Sequence, residues 1–70
     1  MTEPQQCPLT ARELEIARLL SNGETAASIS GKIGCTTHSV NMQIKIARRV
    51  VGARNSSHLA ATALRKGWIE

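Results

Sequence analysis

The side chains able to do covalent or metal chemistry in this sequence are few and scattered. Cys7 and Cys35 have neither C-x-x-C spacing nor neighbouring ligands for a metal cluster. A disulfide between them is arithmetically open, but no secretory leader precedes them, so reduced thiols in a cytoplasm are the expectation. His38 and His58 stand far apart and offer no metal site. Glu13 and Glu15 point in nearly opposed directions on a helix, so they do not converge as an acid–base pair. No Asp is present at all. No nucleophile, base and orienting group are suggested together. An enzyme is therefore not expected, nor a cofactor, nor a small-molecule ligand.

What remains is charge. Nine Lys and Arg face five Glu in 70 residues, a net +4. The excess is one-sided: residues 1–31 sum to −2 and residues 32–70 to +6. A basic half of this kind is a footprint for a polyanion. RNA recognition by stacking is disfavoured, because Trp68 is the only aromatic residue. Apolar residues make up 41%, enough to fold one domain, and the core must be built from Leu, Ile, Val and Ala. No apolar run is long enough to span a membrane.

The elements that must position this charge read as four helices, an all-α fold. Residues 1–8 hold both prolines and read as a flexible lead-in before a domain over 9–70. Thr10 and Glu13 have the spacing of a capping box, with Leu9 and Leu14 spaced as a hydrophobic staple. The first helix runs to about Ser21 and stops at Asn22-Gly23. Thr25 caps a short second helix from Ala26 to about Lys32, with Ser28 leaving its capping box incomplete. Gly34 sits in a tight turn, and Thr36 caps a third helix reaching about Val50. Val40, Ile44, Ala47 and Val51 form one buried stripe on it. His38, Asn41, Met42, Lys45 and Arg49 fall on the opposite side, and a Met among polar residues there is unexpected for a merely solvated face. Asn55 caps a fourth helix from Ser56 to about Lys66, and Trp68 and Ile69 fold back after Gly67.

A short helix, a glycine turn and a longer helix with a polar, basic outer face form a helix-turn-helix pattern. The longer helix can enter a major groove while the shorter one lies across the backbone, its N-terminal amides near a phosphate. The residues carry a sharper resemblance. Leu9-Thr10-Ala11-Arg12-Glu13 with Glu15, Ile16 and Leu19, then Gly23, Thr25, Ile29, Gly34, Thr36, Ser39 and Val40, then Gly52, Asn55, Ala63 and Gly67, resemble the DNA-binding domain of LuxR/GerE bacterial transcription regulators. The resemblance spans Leu9 to Ile69 without a gap.

It implies a four-helix helix-turn-helix domain that binds double-stranded DNA. Base-reading positions fall at Asn41, Met42 and Lys45: Asn41 suits adenine, Lys45 guanine, and Met42 a thymine methyl. Backbone contacts fall at Thr25, Lys32, Thr36, Thr37, Ser39, Arg48 and Arg49, where hydroxyls and cations position a duplex without reading it. A weak homodimer through the fourth helix is implied at Ser57, Ala60, Ala61 and Leu64, on half-sites ~34 Å apart. Several positions depart from the family pattern: Asn41 and Val50 stand where Lys is common, Gln43 where His is usual, Ser56 where Arg is common, and Ser28 where Glu is common. Fewer cations mean weaker, less salt-dependent binding.

The resulting expectation is a sequence-specific transcriptional regulator, cytoplasmic and without a sensing domain in the chain. The opening Met and short polar lead favour a freestanding regulator over a fragment. A second class of function is a single-domain modulator that pairs with a full-length LuxR-type regulator through the fourth helix and inhibits or redirects it. The loss of cations at Val50 and Ser56 motivates that alternative.

Overall fold

Threonine or asparagine stands before every helix and supplies the acceptor that its first turn lacks. The computed structural model describes residues 7–70 and contains α1 (Ala11–Ser21), α2 (Ala26–Ile33), α3 (Thr37–Val51) and α4 (Ser56–Arg65). Residues 1–6 of the expected lead-in lie outside the described residues. At α1, Thr10 Oγ1 accepts from the Glu13 N–H at 3.1 Å, and Glu13 Oε1 accepts from the Thr10 N–H at 2.9 Å. This reciprocal pairing satisfies two donors that have no helical partner. Thr36 accepts from the Ser39 N–H at 3.0 Å, and Asn55 from the His58 N–H at 2.8 Å.

At α2 the structure corrects the sequence-based expectation. Ser28 Oγ accepts from the Thr25 N–H at 2.9 Å, while Thr25 Oγ1 accepts from the Ser28 N–H at 3.2 Å. The capping box is therefore complete. A serine oxygen has lone pairs to spare, and its short side chain folds back over the first turn, so no longer Glu or Gln is needed.

The apolar stripes of all four helices meet in one core. Leu9, Ile16, Ile29, Val40, Ile44, Ala47 and Leu59 form its main cluster. Each helix contributes one fully buried branched residue: Ile16, Ile29, Val40 and Leu59. Aliphatic packing thus dominates a core to which the sequence brings a single aromatic residue, Trp68. A second cluster joins Ala17, Ala63 and Ile69, with Leu14 and Trp68 packed on it. Ala17 and Ala63 are wholly buried, and their small size lets α1 and α4 approach closely.

The chain returns to this cluster through a turn at Gly67, whose φ of +75° suits glycine. The Trp68 N–H donates to the Ala63 carbonyl at 2.9 Å, and the Gly67 N–H to Leu64 at 3.1 Å. Those bonds direct Trp68 and Ile69 back onto the helices, as the sequence implied. Cys7 differs from the loose position expected for it. It is half-buried against the main core, and its thiol donates to the Leu9 carbonyl at 3.8 Å. Cys35 also packs against that core, and both thiols are free.

Two substitutions separate the cap from the core. Thr10→Ala is expected to destabilise by about 1 kcal/mol. Ile29→Ala, which empties a fully buried site, is expected to cost about 2–5 kcal/mol. Urea denaturation at fixed pH measures both; equal effects would contradict this ranking.

Candidate nucleic-acid interface

The turn between α2 and α3 sets the angle of the outward helix. Gly34 ends α2 in the left-handed conformation at φ +74°, ψ +37°. Its N–H and that of Cys35 both donate to the Ser30 carbonyl, at 3.0 and 3.1 Å. A Cβ placed on Gly34 would meet nothing within 4 Å. Glycine is needed there for backbone conformation and not for space. Ser30 Oγ and Thr37 Oγ1 lie 3.2 Å apart and share a hydroxyl hydrogen across the turn.

Helix α3 has two unlike sides. Val40, Ile44 and Ala47 are buried, and Val51 is partly so. His38, Asn41, Met42, Lys45 and Arg49 are all exposed. The structure therefore brings the three base-reading candidates, Asn41, Met42 and Lys45, onto one solvent-facing side. Ile46 and Val50 are also exposed, at 49% and 48%, with Met42 at 43%. Ile46 belongs to neither the buried stripe nor the outward set expected from the sequence. The signal was available: Met42, Ile46 and Val50 follow one another at helical steps of four.

The backbone-contact candidates divide by what already occupies them. Thr25 and Thr36 use oxygen lone pairs in capping. The Thr36 hydroxyl hydrogen stays available to an outside acceptor. Thr37 shares its hydroxyl with Ser30, and Ser39 accepts from Gln43 Nε2 at 3.3 Å. Lys32 pairs with Glu24 at 3.4 Å. Arg48 donates through Nη2 to the Arg54 carbonyl, tying α3 to the loop before α4. Its neighbour Arg49 is exposed. Lys45, Arg48 and Arg49 together border a shallow depression of about 270 Å³, which places three cations at one surface.

On α4, Ser57 and Leu64 are exposed and Ala61 is half-buried. Ala60 is only 6% exposed and belongs to the core. It therefore offers almost no surface to a partner, contrary to expectation, because it lies beside Leu59 and Ala63 on the inward side of the helix. A larger groove of about 810 Å³ runs between α1 and the C-terminal residues, lined by Arg12, Glu15, Arg18 and Trp68 among others. None of the candidate site residues lines it.

Glu24 sits just ahead of α2, where an incoming anion would meet the helix N-terminus. Its carboxyl is held below its ordinary value chiefly because the Ser28 hydroxyl donates to it at 2.7 Å; desolvation opposes this, and Lys32 adds to it by hydrogen bonding and charge. The carboxylate and Lys32 are thus engaged with each other at this end of the surface. Among the described residues, no three His, Cys, Asp or Glu side chains come together to hold a metal ion. No helix among them is long and apolar enough to cross a membrane.

Residues 7–63 match the family model of bacterial regulatory proteins of the luxR family, GerE. The chain belongs to that family. Its fold is the all-α, four-helix helix-turn-helix of the family, and a DNA-binding regulatory function in general follows from membership. Such domains are non-catalytic DNA-binding modules. Comparison with curated proteins gives no match.

Gly34→Ala is expected to destabilise by about 1 kcal/mol, and Gly34→Asn by less, since Asn tolerates the left-handed region better. Thermal unfolding checks the order; equal stability of Gly34→Ala and the parent would contradict it. The lowered Glu24 carboxyl also fixes a pH dependence. A depressed folded value stabilises above the unfolded value and ceases to do so as pH falls through the folded one. The stability difference between the parent and Glu24→Gln should therefore be constant near neutrality and shrink below a pH of about 4.5. Urea titrations across pH 3–7 measure it.

Proposed function

We propose that the chain is a sequence-specific double-stranded DNA-binding regulator whose α3 lies in the major groove. The observation that carries this reading is the exposed Asn41–Met42–Lys45–Arg49 side of α3, held outward by a buried stripe on the same helix. An amide and an ammonium there supply the hydrogen-bonding groups that base edges require, and Arg49 adds a cation for the backbone. Thr36, at the start of α3, and Thr25, at the start of α2, offer further backbone positions, with Thr37 and Ser39 beside Thr36. The cations Lys45, Arg48 and Arg49 supply local positive potential, while Lys32 would first have to exchange Glu24 for phosphate.

A homodimer on a two-fold site would form through the exposed part of α4, Ser57, Ala61 and Leu64. Leu64 is 46% exposed and is the one large apolar side chain on that surface. The small size of this patch favours a dimer completed on DNA. The same Leu64 surface would serve the second reading, pairing with a full-length regulator of the family. Recovery of such a regulator by a chain that binds no DNA itself would favour that reading.

Selection of bound sequences from random duplexes, at stated salt, tests the first reading. A site with two-fold symmetry is expected. On that site, Asn41→Ala and Lys45→Ala should each weaken binding by about 5- to 150-fold, the range of a lost bidentate base contact. Arg49→Ala should weaken all duplexes alike and reduce the salt slope by about 1. Equal affinity for every duplex would contradict the specificity.

A further inference from the structure

We infer that Ile46 is a specificity-determining side chain: with Met42 it forms an apolar strip on α3 that recognises the C5-methyl groups of thymines, one or two steps apart. The inference rests on the reading that α3 enters a major groove, and it names the class of base sequence that the groove must present.

Four large apolar side chains are exposed on the described surface, and three of them, Met42, Ile46 and Val50, are on α3. Steps of four residues advance ~6 Å along a helix and turn it only slightly, so the three form one continuous ridge. None of them can donate or accept a strong hydrogen bond. A helix face meant only for water would not be built this way. The charged flank of the ridge identifies its occupant. Lys45 and Arg49 are exposed on the same side, and residues 32–70 sum to +6. An apolar strip edged along one side by cations fits a surface that is anionic at its border and apolar beside it.

A major groove offers this combination: phosphates line both walls, and the thymine methyl is the apolar group of the base edges. Opposite Ile46, a G·C pair would instead present N7, O6 or N4, which would lose water and gain no partner. The strip therefore selects by exclusion as well as by contact. The ~6 Å between Met42 and Ile46 covers about two base steps, whereas Val50 lies another turn on, close to the end of the helix.

The test uses the whole chain and the duplex that selection returns. Each thymine is replaced in turn by deoxyuridine, which keeps the hydrogen-bonding edge and lacks only the methyl. Affinity is read by fluorescence anisotropy. For the parent chain, two replacements should each weaken binding about fourfold, the worth of one buried methyl-sized group. In Ile46→Ala one of the two penalties should disappear, and in Met42→Ala the other. Circular dichroism controls for folding, which neither exposed position should disturb. A selected site without thymine under α3, or deoxyuridine tolerated throughout while specific binding persists, overturns the inference and leaves the groove reading standing. Absence of any DNA binding overturns both. So does a DNA-free dimer that Ile46→Ala converts to monomer, since a second copy would then cover the strip.

Discussion

The rotation of α3 about its own axis is the constraint on which the rest depends. Val40, Ile44 and Ala47 are buried among residues from the other three helices. Successive residues on a helix are about 100° apart, so fixing these three fixes every other side chain on α3. A helix turned by one residue would bury Asn41 and Lys45 and expose Val40 and Ile44. Burying an unpartnered ammonium and amide while exposing branched aliphatics is opposed by both polar desolvation and the hydrophobic effect. The outward face is thus chosen by what the inward face must bury.

The inclination of α3 is set separately, by the turn and the caps. Gly34 reverses the chain after α2, and Thr36 restarts a helix two residues later. Ser30 and Thr37 join the two helices by their hydroxyls, and Arg48 anchors the far end of α3 to the Arg54 carbonyl. The outward helix is therefore held at both ends and along its buried stripe. A surface used for recognition benefits from such rigidity, because less freedom is lost on binding.

Much of this was legible in the sequence. The four helices, their caps and the buried stripe follow from apolar spacing and from Thr, Asn and Gly at fixed offsets; α1 ends where expected, and the ends of α2, α3 and α4 differ from expectation by one residue. The differences arise where a short side chain or a tertiary neighbour decides. Ser28 completes a box because a hydroxyl can fold back, which spacing rules framed around Glu and Gln miss. Cys7 packs on the core beside Leu9, just ahead of α1, and a proline-rich composition does not reveal that. Ala60 is implied at a dimer surface by the family resemblance, yet the approach of the neighbouring helices buries it. Arg48 and Arg49 are adjacent cations in sequence, and only the position of the Arg54 carbonyl distinguishes the tethered one from the exposed one. Membership of the luxR family agrees with the fold and with a general DNA-binding role, while the ridge at Met42, Ile46 and Val50 belongs to this chain's own residues.

The most direct test of the outward face is nuclear magnetic resonance of the labelled chain during titration with duplex DNA. The Asn41 side-chain amide and the Met42 and Ile46 methyls should shift and broaden. The Ile16 and Ile29 methyls in the core, and the Trp68 indole in the groove beside α1, should hold their positions. Shifts centred on Arg12, Arg18 and Trp68, with the α3 side chains unmoved, would contradict the account.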